Sequence, residues 1–106
     1  MRDAVDAVFE RFPLQVAGKT VLLKPNMVWV FEPYTHANTH PAVITALVER
    51  LRQDGAIVTV GDNPGTSGYG AVEKSARVSG ILDASLGSFE NIAKESRRVK
   101  LIGHDV

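Results

Sequence analysis

The chain contains 106 residues, with 12 basic and 12 acidic side chains, 44% hydrophobic residues and no cysteine. These values predict one globular domain over residues 1–106, and the lack of cysteine excludes disulfides, thiolate zinc sites and cysteine-ligated iron–sulfur clusters within the chain. Balanced charge argues against nucleic-acid binding, and the sequence shows neither a signal peptide nor a membrane-spanning run, so a soluble cytoplasmic protein is expected.

The first predicted element is an amphipathic helix that Pro13 ends. Its apolar face recurs at helical spacing and consists of Ala4, Val5, Val8, Phe9 and Phe12. A first strand follows at residues 20–24, where β-branched and apolar residues continue without clean alternation. That pattern predicts a strand buried on both faces.

An irregular segment at residues 25–39 comes next and carries the aromatic residues Trp29, Phe31 and Tyr34. Loops of this length are uncommon inside compact domains and are usually functional or mobile. The aromatic side chains either cover a ligand or pack against another part of the protein. We favour packing.

The second predicted helix has clear boundaries. Pro41 suits a first helical turn, Thr39 or His40 is expected to cap that turn, and Gly55 ends the helix in a left-handed conformation. The apolar stripe of this helix consists of Val43, Ile44, Leu47, Val48 and Leu51. A second buried strand is predicted immediately afterwards, at residues 56–60.

Three further elements are predicted after a glycine-rich loop at residues 61–70. The first is a helix at residues 71–79, which Gly80 ends. The second is another helical stretch, indicated by the spacing of Leu82, Leu86, Phe89, Ile92 and Ala93. The third is a short strand at Val99–Ile102.

This alternation of strands and helices predicts an α/β fold with a short parallel sheet. The elements follow the order βαβα(α)β, and helices on both faces of the sheet would make a three-layer αβα arrangement. Three strands are few for a doubly wound sheet. We therefore interpret the chain as an incomplete doubly wound, Rossmann-like domain.

Polar residues follow the first two strands at their carboxyl ends, where parallel sheets bind ligands. Lys24 is predicted to neutralise an anionic group, and Asp62 to bind a cation or act as a base, so these two are the candidate catalytic residues. The residues expected to contact a ligand are Asn26, Thr39, Asn63 and Gly65. The competing interpretation is structural, with turn chemistry at residues 62–65 and an exposed strand end at Lys24.

His36 and His40 lie four residues apart just before the second helix, a spacing that suits two metal ligands on one helix face. His40 and Asp62 are therefore candidate ligands of a divalent metal, and His40 is alternatively a proton shuttle. Pro41 places both histidines ahead of the helix. We favour the opposing interpretation, in which His40 caps the helix.

Two other functions are kept open. Backbone N–H groups of the glycine-rich run Gly65–Gly70 would suit the phosphate of a nucleotide, although the run matches no Walker loop and follows the second strand rather than the first. Alternatively, the chain is a non-catalytic scaffold or docking fragment that a partner completes. Assembly into a homo-oligomer is also compatible with the sequence.

Three linked motifs resemble the bacterial and archaeal family called domain of unknown function 362. They are Val21–Asn26, Asn38–Pro41 at the start of a helix, and Asp54–Ala56 followed by Val60–Gly65. Their order and spacing agree with the family over roughly residues 2–82 and more loosely beyond. One departure is Asn63, which stands where serine is common.

The resemblance implies a longer α/β domain, of which this chain would be the front portion. Many family members are joined to, or encoded beside, a ferredoxin-type iron–sulfur module, which implies a redox-linked role. Because this chain has no cysteine, such a module would lie elsewhere in a full-length protein or in an operon partner. The resemblance assigns no catalytic residue.

Overall fold

The computed structural model of the chain describes residues 1–27, 32–36, 38–62 and 69–90. Its elements in chain order are helix α1 (Arg2–Arg11), strand β1 (Thr20–Leu23), a 3-10 turn (Pro33–Thr35), helix α2 (Pro41–Gln53), strand β2 (Ile57–Val60), helix α3 (Tyr69–Val78) and helix α4 (Ile81–Ala84). This order confirms the predicted α/β class. None of the helices within those ranges has the length and apolarity needed to cross a bilayer.

The sheet is parallel, as predicted, and α2 lies in the connection between its two strands. Thr20 is aligned with Ile57 at one end of the pair and Leu23 with Val60 at the other. A third chain segment joins the far side of β2, where Phe89 forms a parallel bridge with Val60. β2 therefore has a neighbour on each side.

The core lies between one face of this sheet and the helices. α2 packs on β2, α1 and α4 both pack on α2, and α3 packs on α4. Thr45 strengthens the α2–α4 contact, since its hydroxyl donates to the Ala84 carbonyl at 2.9 Å. The most deeply buried apolar side chains of this core include Met27, Ile44, Val48, Val60, Val72 and Ile81.

The prediction that both strands are buried on both faces is wrong for the described part of the chain. Burial alternates along each strand: Val58 and Val60 are buried, whereas Leu22 is 53% exposed and Ile57 is 63% exposed. Alternation has a simple cause, because successive strand residues point to opposite faces and the described helices cover one of them. Those helices and the sheet form two of the three predicted layers.

The glycine at the end of α2 behaves as predicted. Gly55 adopts a left-handed φ of 90° just after the C-cap residue Asp54. Its N–H donates to Arg52 and the Ala56 N–H donates to Leu51, which is the Schellman pattern of helix termination. A Cβ here would lie 3.3 Å from the Ala17 backbone, so the tight passage into β2 also requires glycine.

The predicted helical stretch after Gly80 is wrong for residues 86–90, and its members Ile92 and Ala93 lie outside the described residues. Leu86 and Gly87 adopt left-handed φ values of 52° and 84°, which turn the chain away from the helix. The segment then pairs with β2, where the Val60 N–H donates to Ser88 at 2.9 Å and the Glu90 N–H donates to Val60 at 2.8 Å. Phe89 is thus in a β-bridge rather than a helix. The predicted strand at Val99–Ile102 lies outside the described residues.

Candidate functional site

The carboxyl ends of β1 and β2 lie side by side and bring two predicted residues together. Leu23 is aligned with Val60, and the Gly61 N–H continues the ladder by donating to the Leu23 carbonyl at 3.1 Å. Lys24 directly follows Leu23, and Asp62 directly follows Gly61. The register of a parallel pair is therefore what makes these side chains neighbours.

Lys24 and Asp62 form an ion pair of 2.8 Å between Nζ and Oδ1. The two side chains differ sharply in exposure, with 63% of the lysine and 5% of the aspartate accessible. The second carboxylate oxygen, Oδ2, accepts the backbone N–H of Met27 at 2.9 Å in a buried hydrogen bond. Both oxygens of Asp62 are thus engaged, and the exposed reactive group of the pair is the Lys24 ammonium.

Asn26 and Thr39 form a second link at the same end of the sheet. The Asn26 N–H donates to Thr39 Oγ1 at 2.7 Å, and the Thr39 N–H donates to the Asn26 carbonyl at 2.9 Å. These two bonds close the base of the loop between β1 and α2. The Asn26 side chain is exposed and Thr39 is half-buried, so both predicted ligand contacts are accessible.

His40 caps α2, as the interpretation we favoured predicts. Its Nδ1 accepts the Ala42 N–H at 3.1 Å, and its backbone is extended, with φ −66° and ψ 133°. An imidazole in this role must have an unprotonated Nδ1, which leaves Nε2 for any other contact. His36 is exposed and ends the 3-10 turn with a left-handed φ of 56°.

A metal centre is not assembled in the part of the chain that the structure describes. No group of three or more histidine, cysteine, aspartate or glutamate side chains within it is arranged to hold an ion. His40 and Asp62 also have other partners, the helix N-terminus and the Lys24–Met27 pair of donors. The divalent metal therefore stays a prediction.

Two of the predicted ligand contacts cannot be placed. Asn63 and Gly65 lie outside the described residues, as does most of the run Gly65–Gly70. Tyr69 and Gly70 begin α3. The aromatic residues Trp29 and Phe31 also lie outside the described ranges, whereas Tyr34 is exposed in the 3-10 turn.

Sequence reasoning missed one contributor to this site, the backbone N–H of Met27. This donor holds Asp62 in place, and the Met27 side chain is buried with 2% exposure. The available signal was that Met27 begins a run of apolar residues directly after the polar Asn26, because such apolar residues are usually anchored in a core. The backbone donor itself could not be predicted, because every residue except proline carries a backbone N–H.

Two cavities lie away from the carboxyl ends of the strands. The larger, about 550 Å³, is at the opposite end of the sheet and is lined by Leu14, Gln15, Val16, Ala17, Lys19 and Asp54. The smaller, about 220 Å³, is an apolar groove between α1 and α2, lined by Met1, Ala4, Val5, Val8, Phe9 and Leu47. Neither of these two cavities is lined by Lys24 or Asp62.

Comparison with known proteins gives one match. The model of a protein family described as a domain of unknown function, DUF362, matches residues 21–101, a range that begins with β1 and includes Lys24, Thr39 and Asp62. No curated protein and no solved structure matches the chain.

Proposed function

The chain belongs to the DUF362 family, and on that premise we propose that its β1–β2 edge binds a small molecule through an anionic group, with Lys24 as the contacting residue. Carboxylates and phosphates are the two anionic groups that a lysine ammonium commonly recognises. The family description names no reaction. The proposal therefore concerns binding, and any chemical step would follow it.

The Lys24–Asp62 ion pair is the observation that carries this proposal. An ammonium group has three donors, and the contact with Asp62 Oδ1 at 2.8 Å uses one of them. The others face an accessible surface, because most of the lysine side chain is exposed. Asp62 thus acts as a positioning residue that orients Lys24 before a ligand arrives.

Neighbouring polar groups give the edge further donors. The Thr39 hydroxyl accepts from Asn26 N–H and can still donate its own proton. The exposed Asn26 amide carries two more N–H groups. Together with Lys24 they supply several N–H and O–H donors, the kind of contact that an anionic oxygen accepts, and the ammonium charge favours an anion as ligand.

Catalysis at this edge would place different demands on the two charged residues. Lys24 would stabilise negative charge that develops on the bound molecule. Asp62 is poorly suited to act as a base, since both its oxygens accept hydrogen bonds and the group is buried. His40, whose Nδ1 caps α2, keeps Nε2 as the candidate proton shuttle, a role secondary to binding in this proposal.

A redox-linked role is a separate and weaker proposal that rests on the family resemblance alone. The chain has no cysteine and would supply no thiolate ligand to a cluster. An iron–sulfur module would therefore act from another segment or another polypeptide. Binding of an anionic metabolite at Lys24 is compatible with such a partnership and does not require it.

NMR titration of the full chain with inorganic phosphate and, separately, with acetate tests the binding proposal. We expect saturable shifts at the amides of Asn26 and Met27 with at least one anion. Lys24→Met should weaken that binding about tenfold or more, because a charge-assisted hydrogen bond contributes about 1.5–3 kcal/mol. Lys19→Met is the matched control, since Lys19 is an exposed lysine at the opposite end of β1, and it should bind as the unaltered chain does.

Three outcomes would overturn the proposal: no saturable response to either anion, equal weakening by both lysine variants, or no weakening by Lys24→Met. A parallel titration with Mg²⁺ examines the metal hypothesis. Shifts centred on His40 and Asp62 with Mg²⁺, without a response to the anions, would replace anion binding by cation binding. ATP is titrated in the same way. If it causes equally large shifts in Lys24→Met and in the unaltered chain, the glycine-rich loop would be the favoured binding site instead.

A further inference from the structure

The chain segments at the carboxyl ends of the strands contain more acidic than basic side chains. The segments that follow β1 and β2, residues 24–40 and 61–68, include one lysine, Lys24, and two carboxylates, Glu32 and Asp62. Neither segment contains arginine. With the histidines counted as neutral, the two segments together have a formal charge of one negative. This edge therefore differs from the strongly basic clefts that attract highly charged anions.

Glu32 lies at the same end of the molecule as the Lys24 ion pair. It is exposed at the start of the 3-10 turn. That turn is close to the start of α2, because a Cβ built on Gly80 would lie 3.7 Å from Pro33 Cγ and 3.2 Å from Pro41 Cγ. Pro41 follows Thr39, a residue of the candidate site, by two positions. A ligand at Lys24 therefore meets the charge of Glu32 at longer range than that of the ion-paired aspartate.

The backbone N–H groups that could bind a phosphate at the start of α2 are already engaged. Phosphate sites at helix starts rely on free N–H groups of the first turn. Pro41 has no N–H. The Ala42 N–H donates to His40 Nδ1 and the Val43 N–H to the His40 carbonyl, both at 3.1 Å. An incoming anion is therefore left with side-chain donors at this helix start.

We infer that the anionic group bound at Lys24 is a carboxylate, with a single negative charge, and that Asp62 makes the edge select against a phosphate monoester, which carries close to two. The inference rests on the proposed function and defines the chemical class of its ligand. Asp62 then has two roles. It positions Lys24, and it limits how much negative charge the edge accepts.

The second charge of a phosphate monoester has a cost without an equal gain. A dianion loses more hydration free energy than a monoanion when it leaves water, since the desolvation penalty increases with charge. Lys24 attracts the second charge. Asp62, which lies 2.8 Å from the same ammonium, repels that charge from slightly further away and offsets much of the attraction. A carboxylate needs only the short-range hydrogen bonds that the ammonium, hydroxyl and amide groups of the site donate.

Two small anions of different charge test the inference on the full chain. Acetate has one negative charge, and methyl phosphate has close to two at about pH 8. NMR titrations at constant ionic strength, followed at the amides of Asn26 and Met27, give an apparent affinity for each anion. We expect the unaltered chain to bind acetate at least as tightly as methyl phosphate.

Asp62→Asn removes the charge but keeps an oxygen that accepts the Met27 N–H. We expect this variant to raise the ratio of methyl phosphate affinity to acetate affinity about fivefold, because one unit charge disappears a few ångströms from the ligand. Measuring a ratio cancels any general loss of binding or of folded chain. Glu32→Gln, at an exposed position, is a second variant and should raise the ratio about twofold.

Asp54→Asn is the matched control, because it makes the same replacement at the opposite end of the sheet. The affinity ratio of this variant should equal that of the unaltered chain. A rise in the ratio as large as that of Asp62→Asn would assign the change to the net charge of the protein and would overturn the inference.

The other outcomes separate this inference from the proposed function. No saturable response to either anion would overturn both. Tighter binding of methyl phosphate than of acetate by the unaltered chain, with both weakened by Lys24→Met, would overturn the inference and leave the proposed function in place. An unchanged affinity ratio in Asp62→Asn would show that Asp62 does not select the charge of the ligand.

Discussion

At the amino end of the β1–β2 sheet backbone hydrogen bonds close the chain, whereas at the carboxyl end side chains add to the backbone bonds. The Gly18 N–H donates to Gly55 at 2.9 Å, and the Ile57 N–H donates to Lys19 at 2.8 Å. At the other end, Asp62 accepts the N–H of Met27, and Thr39 accepts that of Asn26. Backbone closure tolerates many sequences, while side-chain closure demands particular residues.

The cavity beside Lys19 and the ion pair of Lys24 lie at opposite ends of the sheet. The cavity of about 550 Å³ is at the amino end, beside Lys19 and Asp54. Asp54 there is paired with Arg50 of its own helix at 2.9 Å. At the carboxyl end the ion pair joins two different strands and fixes the position of an exposed lysine. The two ends therefore differ in what their charged side chains hold: a helix terminus at the amino end and an exposed lysine at the carboxyl end.

The largest expected effect separates the aspartates at the two ends. Asp62→Ala should lower the free energy of unfolding by about 2 kcal/mol, because it leaves the buried Met27 N–H without an acceptor. Asp54→Ala should cost clearly less, since it removes only a partly exposed ion pair within α2. Urea denaturation of both variants measures the difference.

A third variant, Asp62→Asn, separates the effect of the Asp62 hydrogen bond from the effect of its charge. This variant retains an oxygen that accepts the Met27 N–H but loses the ion pair with Lys24. Its decrease in the free energy of unfolding should therefore lie between the decreases of the two alanine variants. Equal decreases in the free energy of unfolding for Asp62→Ala and Asp54→Ala would show that the side-chain contacts at the carboxyl end contribute no more than the ion pair at the amino end.

The second expected effect concerns the loop base at the carboxyl end. Thr39→Val keeps the shape of the side chain but removes the acceptor for the Asn26 N–H at 2.7 Å, at a cost of about 1 kcal/mol. Amide hydrogen exchange at Asn26 should rise accordingly. Thr39→Ser preserves the hydroxyl and should restore most of the protection. Equal loss of protection in Thr39→Ser and Thr39→Val would contradict the role assigned to the hydroxyl.

The smallest expected effect is a pH dependence on the side of the molecule where α1 meets α2. Hydrogen bonds from Arg2, then from Arg50, hold the pKa of Asp6 below its ordinary value of 3.8. A lowered pKa in the folded chain means that ionised Asp6 stabilises the fold above the unfolded value, and this contribution is lost as the pH falls through the folded pKa. Stability should therefore decrease on acidification below about pH 4.

Urea midpoints measured between about pH 7 and about pH 3 for the unaltered chain and for Asp6→Asn detect this contribution. The gap between the two should be present at neutral pH and should narrow on acidification. Glu73→Gln, at an exposed position of α3, serves as the control for a general charge effect. A gap that stays constant with pH would contradict the assigned role of Asp6.

Helix boundaries and strand order were predictable because local chemistry determines them. Pro41 and His40 begin α2 and Gly55 follows its end, each for a reason that the residue type carries in itself. The proximity of Lys24 and Asp62 was predictable as well. It follows from two parallel strands whose carboxyl ends meet at one edge, which the pattern of elements already indicates.

Exposure was harder to predict, because it depends on which elements pack where. Val8 and Phe12 have helical spacing, but only Val5 and Phe9 of the same helix reach the core. The turn at Leu86 also escaped prediction, since a leucine rarely adopts a left-handed conformation. Arg52 contributes to that turn by donating to the Leu86 carbonyl at 2.8 Å, a contact 34 positions along the chain that local patterns do not reveal.

The pair of hydrogen bonds between Asn26 and Thr39 has a consequence for the evolution and engineering of the loop that they close. Because the two ends of the loop are joined to each other, its length is uncoupled from the positions of β1 and α2. We expect a loop of another length to begin and end at the same two positions as long as both bonds are kept. The separation of β1 from the start of α2 is thus set by one hydroxyl and a pair of main-chain groups, close to an exposed lysine.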